Sequence, residues 1–215
     1  MTVALLAGAT GLVGQELLRG LCDDPSYTEV HALVRRPLDT SAAKLRTHVV
    51  DFAAELALPK VDHVFIALGT TMKKAGSEAA FRAVDHDAVI AVAKAARAQG
   101  AEALFVVSSL GANAGSSVFY NRTKGQTEDA LGKLGYSRSV MFRPSVLDGP
   151  RGESRPGEQV GVALGKALSF AMVGSARRYR PIHVATVARA MLRVAAQSGA
   201  GHSAVESDEI ARLGA

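Results

Sequence analysis

The stretch Val3-Ala4-Leu5-Leu6-Ala7-Gly8-Ala9-Thr10-Gly11-Leu12-Val13-Gly14 constrains the fold of this chain more than any other. An apolar run of strand length meets a turn with glycines spaced G-x-x-G-x-x-G, and an amphipathic segment follows at once. Val13, Leu17 and Leu21 recur four apart with Leu18 beside them, which lays one apolar face along a helix. Strand, turn and helix start form a cradle for a dinucleotide pyrophosphate, with Gly8, Ala9, Thr10, Gly11, Leu12, Val13 and Gly14 in contact. Glycines let the backbone come close to the phosphates, and the free N–H groups and dipole of the helix N-terminus stabilise their charge. The same kind of turn also serves merely to join a buried strand to a helix, so the rest of the chain has to decide.

Downstream, short β-rich runs alternate with helical patterns, the signature of an α/β fold with a doubly wound, mostly parallel sheet of the Rossmann type. Strands are expected near residues 3–7, 29–34, 47–51, 62–67, 103–109 and 137–143, with a further short one near 202–206. Val64-Phe65-Ile66-Ala67-Leu68 and Ala103-Leu104-Phe105-Val106-Val107 are near-continuous apolar runs, as strands covered on both faces require. Val84, Ala88, Ala91, Val92 and Ala95 mark a helix between them, and Val184, Val187, Ala188, Met191, Leu192 and Ala195 mark another. A length of 215 residues suits one nucleotide-binding domain over 1–215. Residues 148–158 are polar and rich in Gly and Pro, and would leave the sheet on the carboxyl edge, where doubly wound folds bind ligands. They are read as the start of a small substrate-covering annex over 148–183, completed by the C-terminal residues.

Composition removes several alternatives. The six histidines show no metal-ligand spacing and only one cysteine is present, so no metal site is expected. Cys22, at the end of the first helix, excludes an intrachain disulfide framework and fits a reducing cytoplasm. No apolar run approaches a bilayer span and no basic leader precedes the first strand, so the expectation is a cytoplasmic protein with no membrane partner. The net charge of +5 is scattered and not interleaved with aromatics, which argues against nucleic acid and for an anionic small molecule.

The second constellation is Tyr120-Asn121-Arg122-Thr123-Lys124, with Ser108 and Ser109 about a dozen residues earlier. Tyr and Lys four apart share a helix face, and an ammonium beside a phenol, ordinarily near pKa 10, favours the phenolate. That equips Tyr120 to exchange a proton with a substrate oxygen during hydride transfer. Ser109, one residue further out of the strand than Ser108, is the choice for orienting that oxygen. The bland reading of Tyr-x-x-x-Lys is a solvated helix face. At the end of the second strand stand Val34-Arg35-Arg36 with no acid, so Arg35 and Arg36 can meet a 2′-phosphate and NADP is expected in preference to NAD. The same edge geometry places Asp51 and Phe52 beside the adenine, and Leu68, Gly69 and Thr70 beside the ribose and pyrophosphate. Pro144 and Val146 fall where backbone groups could bind the carboxamide. Each of these edge positions is equally readable as a turn.

On these residues the chain resembles an atypical, extended-type short-chain dehydrogenase/reductase. More closely it is similar to the group typified by the human Tat-interacting protein (the CC-three type) and its bacterial relatives. The resemblance runs from about Val3 to Leu213. Beyond the glycine turn it is carried by Leu68-Gly69-Thr70-Thr71 with Lys74-Ala75-Gly76, Ser108-Ser109, Tyr120 to Lys124, Phe142-Arg143-Pro144 and Glu153-Ser154-Arg155-Pro156-Gly157-Glu158. It implies a Rossmann core binding NADP(H), with Ser109, Tyr120 and Lys124 in the catalytic positions. Two departures bear on substrate: Thr186 stands where extended members often carry aspartate, and the short C-terminal region leaves little protein to enclose a nucleotide-sugar. A small carbonyl or alcohol is the expected substrate. The alternative is a regulator that binds NADPH, presents a surface to a protein partner and turns over little or nothing.

Overall fold

The computed structural model describes residues 2–149 and 174–215. Seven strands lie in one sheet: β1 (Thr2–Ala7), β2 (Tyr27–Val34), β3 (Leu45–Val49), β4 (His63–Ile66), β5 (Ala103–Val107), β6 (Arg138–Arg143) and β9 (Gly201–Glu206), in the order β3-β2-β1-β4-β5-β6-β9. Every pairing in it is parallel. Parallel neighbours need crossovers, and helices supply those of four pairs, α1 (Leu12–Asp23), α4 (Ala88–Ala98), α5 (Phe119–Gly132) and α6 (Val184–Ala195), while β2 reaches β3 without a helix. The strand order turns back between β1 and β4, which makes the carboxyl ends of those strands the switch point where doubly wound sheets open a ligand crevice. The short strands β7 (Leu147–Asp148) and β8 (Ile182–His183) pair in parallel just beyond β6. The proposed annex falls mostly on residues 150–173, outside the described part.

Two apolar layers cover the sheet. On one face Val13, Leu17 and Leu21 of α1 meet Val187, Met191 and Val194 of α6 and Ile210 of α7 (Ser207–Leu213) over Leu6, Phe65, Phe105 and Phe142. On the other, Val89, Val92 and Ala96 of α4 and Leu131 of α5 pack over Leu5, Val64, Ile66, Leu104 and Met141. Strand residues alternate between the layers, which is why their sequence is apolar at nearly every position. β1, β4 and β5 are buried on both sides, and the loops at their carboxyl ends are anchored to these strands. No described helix is long and apolar enough to cross a membrane.

Two short elements follow β4: α2 (Met72–Ala75), capped by the Thr71 hydroxyl on the Lys74 amide, and α3 (Glu78–Arg82), capped by Ser77 on the Ala80 amide. α3 does not pass straight into α4. A π turn at Ala83–Asp87 joins them. Strand and helix positions agree with the sequence-based expectation to within a few residues, including β9 and α6. His183 is exposed and its Nδ1 accepts the Ala185 amide at the start of α6.

Candidate functional site

The glycine turn sits at the switch point and is shaped by close approach. Gly8 has φ +96, and a Cβ there would stand 2.5 Å from the Ala67 carbonyl oxygen; a Cβ on Gly14 would stand 1.9 Å from the Gly8 oxygen. The first turn of α1 therefore lies flush on the end of β1, and the end of β1 lies flush on the end of β4. Gly11 donates its amide to the Gly8 carbonyl at 2.9 Å and stands as the N-cap of α1 without a side-chain cap. The first amides of α1 thus keep their donors for an acceptor from outside the helix. Thr10 and Gly11 are exposed and Ala9 is buried, so the turn has an open outer face. This cradle fits a pyrophosphate.

The other edge residues surround it unequally. Arg35 and Arg36 are exposed just past β2. Asp51 is exposed and its Oδ1 accepts the Ala53 amide at 2.9 Å, while Phe52 and Leu68 pack against the core layer that carries α4. Pro144 is buried and its carbonyl accepts the Leu110 amide at 2.9 Å, whereas Val146 is exposed and accepts the Ile182 amide at 2.9 Å.

The turn after β4 meets the Tyr-x-x-x-Lys helix through a residue that sequence reasoning missed. Asp85, in the π turn and 1% exposed, accepts the Thr70 amide on Oδ2 at 2.8 Å. Its Oδ1 lies 2.7 Å from Lys124 Nζ, at an angle that makes this an ion pair without an aligned hydrogen bond. A Cβ on Gly69 would lie 3.4 Å from Asp85 Oδ1 and 4.0 Å from Lys124 Nζ, so the bare backbone of Gly69 roofs the pair. Lys124 is itself 6% exposed, and the alternative of a solvated helix face does not hold for it. Tyr120, one turn earlier on α5 and half-buried, rests its ring on Phe81 with centroids 5.3 Å apart. The signal for Asp85 was present in the sequence: a carboxylate in line with Phe81, Val89 and Val92 needs a cation when that face is buried.

Ser108 and Ser109 part company at the end of β5. Ser108 is buried and donates its hydroxyl to Glu128 Oε1, one turn beyond Lys124 on α5. Ser109 is half-buried and makes only a 3.4 Å contact to the Leu110 carbonyl, so its hydroxyl remains free to turn toward the crevice. Behind them Arg143 grips Glu128 with Nε (3.1 and 3.2 Å) and Nη2 (2.5 Å), and reaches Glu206 with Nη1 at 2.9 Å. The hydrogen bonds that Arg143 donates to Glu128 raise the guanidinium pKa against the opposing effect of burial, with Glu206 adding to the rise. Glu128 and Glu206 were not foreseen as site-supporting residues, because their partner lies in another strand. Among the described residues no cluster of His, Cys, Asp and Glu could hold a metal ion.

A family model described as NAD(P)H-binding matches residues 8–137. Among curated proteins, "Protein FMP52, mitochondrial" of Eremothecium gossypii is 41% identical over 170 residues, covering 77% of this chain and 76% of that protein. The Emericella nidulans protein of the same name is 37% identical over 201 residues, covering 87% and 86%. Among solved structures, the Thermotoga maritima UDP-glucose 4-epimerase with UDP-glucose superposes with TM-score 0.69 at 16% identity, over 99% of this chain and 81% of that one. The human epimerase family protein SDR39U1 with NADPH superposes with TM-score 0.65 at 19% identity, over 99% and 80%. At such identities the structural likeness is one of fold. The curated relatives are named as mitochondrial proteins, which overturns the expectation of a cytoplasmic location. That expectation leaned on the want of a basic leader and of a bilayer-length apolar run, and on a lone cysteine, which does not tell one thiol-reducing compartment from another.

Proposed function

The chain belongs to the NAD(P)H-binding family of Rossmann-fold proteins, and on that premise we propose that it is an NADP(H)-dependent reductase of small carbonyl compounds, working by Ser/Tyr/Lys short-chain dehydrogenase chemistry. One observation carries the reading: the turn that would flank the nucleotide, Gly69-Thr70, and the lysine of Tyr-x-x-x-Lys meet around one buried carboxylate at the switch point. A solvated helix face would have no reason to aim its lysine there. The motifs of the Tat-interacting-protein type, from Leu68 to Gly76 and from Phe142 to Pro144, support placing the chain in that extended group.

Gly8 to Gly14 would hold the pyrophosphate by backbone donors, with Arg35 and Arg36 meeting the 2′-phosphate as paired guanidinium groups. Asp51 and Phe52 would border the adenine, Leu68, Gly69 and Thr70 the ribose, and Pro144 and Val146 the carboxamide. When bound, the nucleotide supplies the hydride. Ser109 donates its hydroxyl to the carbonyl oxygen and fixes its direction, Tyr120 hands that oxygen a proton, and Lys124 keeps a positive charge beside it.

The test is NADPH oxidation over a panel of aldehydes and ketones by wild type and Tyr120→Phe, with NADPH and NADH titrated against wild type and Arg35→Ala. Removing the phenol hydroxyl should lower kcat by about 10²–10⁴-fold, and Arg35→Ala should weaken NADPH alone. A Tyr120→Phe variant as active as wild type sinks the mechanism, and equal wild-type affinity for both nucleotides sinks the cofactor preference. Tight NADPH binding without turnover of any panel compound would favour a regulator.

A further inference from the structure

The helix between β4 and β5 widens into a π turn at Ala83–Asp87, and such turns occur frequently at functional sites. Here the turn buries Asp85 almost completely, in a pocket it lines with Val89, Lys124 and Thr127. A carboxylate is withdrawn from water only where partners replace its hydration. Its two partners belong to different parts of the site: the Thr70 amide on Oδ2 is part of the turn after β4, and the Lys124 ammonium beside Oδ1 is part of α5. Neither partner is a sequence neighbour of Asp85, and nothing else in the described structure bonds either carboxylate oxygen.

We propose that Asp85 is a positioning residue that serves both sides of the site with one side chain. One oxygen fixes the height of the Gly69-Thr70 turn over the nucleotide crevice. The other holds Lys124 by charge alone, so the turn and the ammonium keep a set relation that neither element could impose by itself. The role of Lys124 in this statement rests on the reductase reading; the two ties do not.

Three variants of the full chain separate the ties. Asp85→Asn keeps an acceptor for the Thr70 amide but removes the charge, Asp85→Ala removes both, and Lys124→Met removes the other partner. NADPH affinity is read by titrating its fluorescence, kcat at saturating NADPH on a panel compound, and stability by melting temperature. Asp85→Asn should bind NADPH within about threefold of wild type yet lose kcat about tenfold or more, whereas Asp85→Ala should also bind NADPH about tenfold more weakly. Asp85→Asn should lower the melting temperature in the wild-type background and not in Lys124→Met, where no ammonium is left unpaired. If Asp85→Ala fails to fold, Asp85→Leu/Lys124→Met, which buries no charge, is compared with Lys124→Met for the affinity measurement.

Wild-type NADPH affinity in the variant lacking the acceptor overturns the tie to the turn. Wild-type kcat in Asp85→Asn overturns the tie to the lysine. Should wild type bind NADPH and turn over nothing, the reductase reading alone falls. The lysine tie is then decided by the melting cycle, where equal losses in both backgrounds overturn it.

Discussion

Ser108 and Ser109 are adjacent in sequence and opposite in environment, and the difference predicts separable phenotypes. The Ser108 hydroxyl is spent on Glu128 inside the protein. Its loss leaves a buried carboxylate short of one donor, so Ser108→Ala should lower stability by about 1–3 kcal/mol with NADPH affinity unchanged. Ser109 is half-buried and makes only the long contact to the Leu110 carbonyl. Ser109→Ala should leave the denaturation midpoint within about 0.5 kcal/mol of wild type and lower kcat on whichever carbonyl compound proves active. Urea titration beside steady-state kinetics checks both, and a reversal of the two phenotypes would reassign the substrate-orienting serine. The glycines are governed differently. At Gly14 the limit is backbone contact with Gly8, so even one methyl group would lift α1 from the strand it caps.

At the scale of elements, α5 is the member that joins everything. Its successive turns present Tyr120 to Phe81, Lys124 to Asp85 and Glu128 to Ser108 and Arg143. Arg143 in turn reaches Glu206 at the end of β9, so α5, β5, β6 and β9 are tied at one edge by a single guanidinium. Removing that cation while Glu128 stays buried strands a charge. Arg143→Met should cost about 3 kcal/mol or more, read as a lower urea midpoint at unchanged slope. Replacing both partners, as Glu128→Leu/Arg143→Met, should recover much of the loss, because a well-packed apolar pair leaves nothing unpaired. A double variant no more stable than Arg143→Met would mean that Ser108 and Glu206, not the stranded charge, dominate the cost.

For the molecule as a whole, two histidines of the sheet, His31 within β2 and His63 at the start of β4, make stability depend on acid. Burial lowers the pKa of His31, with Glu29 opposing, and of His63, with Asp62 opposing. His63 Nδ1 lies 2.9 Å from the Tyr27 hydroxyl, whose pKa burial raises, so the phenol donates to a neutral imidazole. Both histidines therefore take up protons more readily when the chain is unfolded. Their contribution to stability is complete above the unfolded value of about 6.5 and is lost as pH falls below it, until the folded imidazoles also titrate. Urea midpoints should decline from about pH 7.5 to about pH 5, less steeply in His63→Gln; a flat profile would contradict this. The strands were legible from sequence because double-sided burial writes itself as unbroken apolar runs at β4 and β5. The glycine turn was legible because close backbone approach at Gly8 and Gly14 admits no other residue. Asp85 was harder to read, since its partners lie 15 residues before it and 39 residues after it in sequence, and the widened turn shifts the helical phase on which any face assignment depends. That shift has a consequence of its own. Phe81, before it, meets the rings that open α5, Phe119 edge-on and Tyr120 at a tilt, while Val89 and Val92, after it, press on the sheet. The turn works as a spacer between two gear trains, and deleting one residue from 83–87 would leave a perfectly regular helix able to mesh with only one of them. In this stretch the packing depends on the number of residues as much as on their identity.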